Sequence, residues 1–254
     1  MKKMNCWLVL FASLLMAAAS TVMFSSCSDD DDEDDPKKAQ NGDSSKDDEN
    51  NGEDDTTSQL GNYPYVDLGL PSGLKWAIYN VGATKPEEYG DYFAWGETQP
   101  KEGYSWSTYK WCNDSRNSMT KYCTDTACGI VDNKSLLAME DDAARANWGG
   151  SWRMPTKVEI NELIDGCTWE WTDNYNGTGI KGQEGISKKN GNVIFLPAAG
   201  FSDLYHVGEK GHYWTSILSD GDPNRSYHLT LSDESVDWVP SLRSHGYSVR
   251  AVSK

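Results

Sequence analysis

The chain has 254 residues, a formal net charge of −16 and 37% hydrophobic residues. That length holds one well-cored domain, and the acidic balance argues against a nucleic-acid partner, which needs clustered Lys and Arg. The charge is uneven. Positions 28–55 carry 14 acids and 3 lysines, a net of −11, and with Lys2 and Lys3 at the start the residues from Thr56 onward are left at −7.

Lys2 and Lys3 precede an apolar run over 6–19, which is too short and too weakly flanked for an ordinary membrane span. Phe24-Ser25-Ser26-Cys27 then resembles a lipobox. The resemblance implies a signal peptide over 1–26, with Cys27 lipidated as the mature N-terminus. A thioether-linked diacylglycerol with an amide-linked third chain makes a stable anchor where one chain would be marginal. The run Ser28-Asp29-Asp30-Asp31-Asp32-Glu33-Asp34-Asp35 resembles the export signal that sends lipoproteins of Bacteroidota to the outer face of the outer membrane. The expected state is lipid-anchored in the outer membrane, facing the cell exterior, and not spanning. Residues 27–62 read as an acidic tether, because their composition cannot bury enough surface to offset the entropy of ordering. Like charges extend such a segment.

The folded part is expected over 63–254. Ten of the 11 Trp and all 13 Tyr lie there, which points to a loop-rich domain packed on large flat side chains. Short strands are expected at 65–69 and 74–81, joined as a hairpin by the Leu70-Pro71-Ser72-Gly73 turn. A loop at 82–89 and an aromatic strand at 91–97 follow. Residues 98–131 lack periodicity and form an irregular insertion, with Cys112, Cys123 and Cys128 available to staple it.

Helix signals come next. Glu140-Asp141-Asp142 suits an N-terminal turn, Ala143, Ala144 and Ala146 favour helix, and Gly149-Gly150 ends it. Thr156-Lys157-Val158-Glu159 is a capping box, with Ile160, Leu163 and Ile164 on one apolar face. Further strands are expected at 168–172, 193–196, 213–217, 227–231 and 247–252, with Asn190-Gly191 as a type I′ hairpin turn. Two helices among many short strands give an α+β domain.

Four cysteines, Cys112, Cys123, Cys128 and Cys167, remain in the domain. They allow three pairings that the sequence does not choose between. Their spacing lacks the paired two-residue pattern of a strong zinc site, and the chain has four His, at 206, 212, 228 and 245. No metal or other cofactor is expected.

Several blocks together look like the Fibrobacter succinogenes major paralogous domain, a family of secreted and surface bacterial proteins. They are the stretch from Val66-Asp67-Leu68-Gly69-Leu70-Pro71 to Lys75-Trp76-Ala77, Asn80-Val81-Gly82-Ala83, Gly90-Asp91-Tyr92-Phe93-Ala94-Trp95-Gly96-Glu97-Thr98, Asn147-Trp148-Gly149-Gly150-Ser151-Trp152-Arg153-Met154-Pro155-Thr156, Phe195-Leu196-Pro197-Ala198-Ala199-Gly200, and the closing Tyr247-Ser248-Val249-Arg250-Ala251-Val252. The segment from Asp142-Ala143-Ala144 to Glu159 is also similar to a stretch of formylglycine-generating enzymes. This implies a C-type-lectin-like domain: two helices, a twisted mainly antiparallel sheet and long loops. The enzymatic chemistry does not carry over, since that family uses a cysteine pair near its C-terminal end and no cysteine follows Cys167. The triplets that mark calcium-dependent sugar binding are missing too, and Asp222-Pro223-Asn224 reads as a turn.

No Gly-x-Ser-x-Gly elbow places a nucleophile. Glu97, Asp141 and Asp142 could form an acid–base pair, but helix capping and loop hydrogen bonding explain them more simply. Arg153 reads as a buried structural cation paired with an acid. Trp95, Tyr104, Trp106 and Trp111, with Glu97, are the candidate ligand-binding residues: aromatic faces stack on sugar rings while polar neighbours fix orientation. Trp76, Trp148, Trp152 and Trp214 are assigned to the core. Asp55-Thr56-Thr57 and Asp125-Thr126-Ala127 resemble O-glycosylation sites of Bacteroidota. The expected function is non-catalytic binding of a glycan or a cell-surface protein. The alternatives are an assembly component of an envelope complex or an enzyme of undetected type.

Overall fold

A computed structural model describes residues 58–254. Cys27, the leader, the tether up to 57 and the Asp55-Thr56-Thr57 motif lie outside the described residues. Among the described residues no helix is long and apolar enough to cross a membrane.

Among the described residues the fold is α+β, with two α-helices and antiparallel sheets. β1 (Ser58–Leu60) and β2 (Tyr63–Asp67) make a hairpin around Gly61, whose φ of +65° suits glycine. β3 (Lys75–Ala77) pairs with β2, placing Val66 opposite Trp76. α1 (Ala143–Trp148) starts at Asp142, whose Oδ1 accepts from Arg145 N at 3.0 Å, and stops at Gly149 with φ +69°. α2 (Lys157–Gly166) has the expected capping box: Thr156 N donates to Glu159 Oε2 at 2.7 Å and Glu159 N donates to Thr156 Oγ1 at 3.4 Å.

β4 (Cys167–Thr172), β5 (Gly182–Ser187) and β6 (Val193–Pro197) form a second sheet in that order. β7 (Gly211–Leu218), β8 (Arg225–Leu231) and β9 (Val236–Leu242) form a third. β10 (Val252–Ser253) returns to β3, so the chain's end closes the sheet that its first described strand begins.

Two hydrophobic clusters hold these layers. One is aromatic, with Phe93, Trp95, Trp152, Trp214 and Tyr247. The other is mainly aliphatic: Ile160 and Leu163 of α2 meet Leu68, Leu70, Leu74, Leu196 and Leu229. Each such side chain contributes roughly 1.5–3 kcal/mol by leaving water. Gly185 of β5 lies under an aromatic lid, where a Cβ would come within 2.7 Å of the Trp169 ring.

Several expectations change. Residues 58–60, inside the stretch read as tether, form β1, because three residues suffice when β2 supplies the ladder. Residues 91–97 are not a strand. Asp91 N, Phe93 N and Trp95 N donate to three different segments, at Val81 O, Tyr247 O and Arg243 O. Residues 247–252 likewise divide their pairing, Tyr247 with Phe93 and Ser248 with His212, before β10 forms. The Asn190-Gly191 turn is a longer loop closed by Ser187 N to Asn192 O, with Gly191 and not Asn190 at positive φ. Cys112, Cys123, Cys128 and Cys167 are buried free thiols, so the insertion is not stapled; packing of the first three with Met119 and Tyr109 holds it instead.

Candidate functional site

The five sequence candidates divide sharply. Trp95 has 0% exposure and its Nε1 donates to Thr215 O at 2.8 Å. It stands edge-on to Tyr122, with the Arg243 guanidinium 5.2 Å from its ring. It belongs to the core and offers no face to a ligand. Glu97 is 7% exposed and spends Oε1 on Lys101 Nζ and Lys110 N, both at 2.8 Å, so it fixes loop backbone as the simpler reading held.

Tyr104, Trp106 and Trp111 are half-buried and pack on the cysteine cluster of the insertion. The Tyr104 hydroxyl donates to Tyr92 O at 2.6 Å, and its ring lies so close to Gly246 that a Cβ there would come within 2.6 Å. Trp106 stands edge-on to Tyr109. Trp111 donates Nε1 to Gly96 O at 2.7 Å, while Lys110 and Lys121 sit 4.2 and 4.8 Å from its ring. Ammonium groups already use the π-face that a sugar would need. The cavities described next are lined by other residues.

Trp148, assigned to the core, packs against the aromatic cluster and is also partly open. It is half-buried and lines a cleft of about 310 Å³ together with Tyr63, Trp152, Asn62, Gly150 and Ser151. Tyr63 at the start of β2 stacks on Trp148 at the end of α1, with centroids 4.2 Å apart and planes 12° apart. Trp152 meets both rings edge-on, at 6.4 Å from Tyr63 and 5.3 Å from Trp148, and Tyr79 closes on Trp148 at 5.8 Å. Trp152 Nε1 donates to Leu60 O at 3.2 Å, tying the β1–β2 turn to the cleft. Among the described residues no carboxylate, ammonium or guanidinium lines this cleft. Its chemistry is aromatic surface, the Asn62 amide, the Tyr63 and Ser151 hydroxyls and backbone polar groups, which suits an uncharged ligand with an apolar face.

A second cavity of about 580 Å³ is polar and charged, with Trp171, Asp173, Lys181 and Lys210 facing the 232–235 turn. A third, of about 260 Å³, is apolar, where Leu136 (52% exposed) and Met139 (65% exposed) flank Asp142, Arg145 and Arg153. Burial pushes the Asp142 carboxyl up despite backbone hydrogen bonds from Arg145 and Met154. Its oxygens cap α1 and hold Met154 N, and Arg153 is engaged by Glu159, so no acid–base pair assembles there. Asp141 is not a cap: it accepts from the Tyr122 hydroxyl at 2.6 Å and from Lys121.

The four histidines gather where the sequence gave no signal. His212 Nδ1 and His228 Nε2 are 3.1 Å apart beneath Tyr247, and Phe201 touches the rings of His206, His212 and His245. Among the described residues no three His, Cys, Asp or Glu side chains converge as metal ligands. Asp222-Pro223-Asn224 is the expected turn, with Asn224 N on Asp222 Oδ1 at 3.0 Å. Thr126 is exposed in a turn.

The chain matches no family model, no curated protein and no solved structure.

Proposed function

We propose that this protein is a surface-exposed outer-membrane lipoprotein, anchored through Cys27, whose domain binds uncharged glycans without catalysis. The anchor rests on the lipobox-like Phe24-Ser25-Ser26-Cys27 and the acidic run behind it. A C-type-lectin-like architecture and membership of the Fibrobacter succinogenes major paralogous family belong to the same proposal. They rest on the sequence blocks quoted above and agree with an α+β domain closed by its own C-terminal strand.

One observation carries the binding reading: a cleft walled by Tyr63, Trp148 and Trp152 in which no described lining residue carries a formal charge. A pyranose presents a C–H face to aromatic rings and hydroxyls to amides and backbone groups. A neutral cleft costs such a ligand little desolvation of charge. Affinity sedimentation of the full-length, detergent-solubilised protein on insoluble polysaccharides tests this. Retention that a soluble oligosaccharide competes away supports it, and passage of folded protein through every matrix contradicts it. Anchoring is tested separately by Cys27→Ala, which should release the protein from membranes and from surface protease.

A second reading, an assembly component, draws on the exposed Leu136 and Met139 at the apolar cavity. Surface cross-linking that captures one stoichiometric envelope partner through this face would favour it.

A further inference from the structure

The apolar cavity of about 260 Å³ lies where residues 136–139 meet the starts of α1 and α2. Backbone hydrogen bonds fix its frame: Leu137 N donates to Ser216 O at 2.9 Å, and Ser216 N donates to Pro155 O at 2.8 Å. Leu136, Leu137, Met139 and Met154 supply its apolar surface. Leu137 and Met154 are buried while Leu136 and Met139 are more than half exposed, so the apolar wall runs from the interior out to solvent.

The polar side chains along the cavity are engaged, with one exception. Asp142 gives Oδ1 to Arg145 N at 3.0 Å and Oδ2 to Met154 N at 2.8 Å. Arg153 pairs with Glu159 at 2.6 Å. Thr156 Oγ1 accepts from Glu159 N at 3.4 Å, and the Ser216 hydroxyl donates to Pro155 O at 3.3 Å. The exception is the Arg145 guanidinium. Among the described residues it pairs with no carboxylate, and its one hydrogen bond runs from Nη2 to Met139 Sδ at 3.4 Å. A thioether is a weak acceptor, whereas a guanidinium carries five N–H donors in a fork that fits a carboxylate. The same contact places the guanidinium against Met139, a wall of the cavity. Asp142 does not match it: the carboxyl is 5% exposed and both its oxygens are taken by backbone N–H groups.

An apolar chamber with one unmatched guanidinium at its Met139 wall specifies a ligand with an apolar body and a single carboxylate. A wholly apolar ligand would leave the guanidinium with its weak acceptor. A multiply charged anion would bury charge against Leu137 and Met154 at high cost. The volume lies just below the usual range of small-molecule sites, so the body is short. We propose that this cavity binds a free, short-chain apolar monocarboxylate, its alkyl body between Leu136, Met139 and Met154 and its carboxylate on Arg145. The proposal does not rest on the glycan reading, which uses a different cavity, and it gives the cavity of the assembly reading a small-molecule occupant.

The test is a saturation-transfer NMR titration of the full-length protein in lipid nanodiscs, with empty nanodiscs as the blank. The probes are hexanoate, its uncharged isostere hexanamide, and N-acetylleucine, which stands for the apolar C-terminal residue of a partner chain. The variants are Arg145→Gln and Leu136→Asn/Met139→Gln, each checked for an unchanged circular dichroism spectrum, with Trp148→Ala as the control in the other cleft. Saturable hexanoate binding is expected. It should weaken about tenfold in Arg145→Gln and about tenfold in the double apolar variant, and it should be unchanged in Trp148→Ala. Hexanamide should bind the wild type about tenfold more weakly than hexanoate. Absence of saturable hexanoate binding, equal binding of hexanamide, or full retention of hexanoate binding by folded Arg145→Gln overturns the proposal. Preference for N-acetylleucine over hexanoate by about tenfold overturns the free acid as occupant and returns the cavity to the assembly reading.

Discussion

Tyr63 and Trp148 lie face to face, 4.2 Å apart, and so join the first full strand to the end of the first helix. The β1–β2 turn is tied to the same aromatic group, with Leu60 O accepting from the Trp152 indole. A full chain lacking residues 58–62 loses that acceptor and the β1 ladder. A stability loss of about 1–3 kcal/mol is expected, read as a lower denaturant midpoint with little change in slope.

Arg153 and Glu159 form a two-pronged pair at 2.8 and 2.6 Å, and the same carboxylate caps Thr156 N. Burial pushes the Glu159 carboxyl up, but the hydrogen bonds from Arg153 and Thr156 outweigh it and hold it below the ordinary value. A carboxylate depressed on folding stabilises above its unfolded pKa, and the gain is lost as pH falls through the folded value. Glu159→Gln should therefore cost roughly 1.5–3 kcal/mol at neutral pH and much less in acid, where the wild type has lost the same term. Thermal melts of both proteins at neutral and acid pH give the comparison.

Arg243 is a fully buried cation with no carboxylate paired to it among the described residues. Its guanidinium donates to the Tyr109 hydroxyl and to the carbonyls of Lys121, Tyr122 and Pro223, between the Trp95 and Tyr109 rings. It thus fastens the irregular insertion to the turn before β8. Arg243→Met strands four acceptors and should destabilise by at least about 3 kcal/mol. Arg243→Lys should also lose stability, because an ammonium cannot span that fork. Limited proteolysis should then cut first within 98–131.

His212 and His228 are neutral in the folded protein. Burial pushes His212 down to about 4 and His228 down to about 3, with Lys210, His206 and His245 adding repulsion around the pair. The unfolded chain binds protons first, so stability rises with pH over the window from these folded values up to the ordinary histidine range near 6.5. On acidification across it, roughly 1.4 kcal/mol per pH unit is lost for each fully coupled histidine. His228→Phe should flatten that limb of the stability–pH curve. A mutant curve as steep as the wild type would contradict the burial assignment.

Local signals were the legible part of this fold. The Thr156–Glu159 box and the acid-led start of α1 are written in contiguous residues, and both helices formed where they pointed. β5 was missed because Gly182-Gln183-Glu184-Gly185 has no strand propensity of its own and is shaped by its neighbours. β9 was hidden by Pro240, which a sheet tolerates at an edge such as this one.

The site was less legible for the same reason. Trp95 and Trp148 look alike in sequence, each beside glycine, yet long-range packing buries one and leaves the other lining a cleft. The nearest sequence hint to the cleft was the pair Gly149-Gly150, which ends α1 and opens space beside Trp148. Nothing local links it to Tyr63, 85 positions upstream.

The most direct measurement is a glycan array probed with the full-length protein and with its Trp148→Ala variant, both verified as folded. The expected result is saturable binding to one class of uncharged glycan by the wild type, lost or weakened by about tenfold or more in the variant, a change of roughly 1.4 kcal/mol. A blank array for folded wild type, or equal binding by the two proteins, would contradict the assignment of the Tyr63–Trp148 cleft as the ligand site.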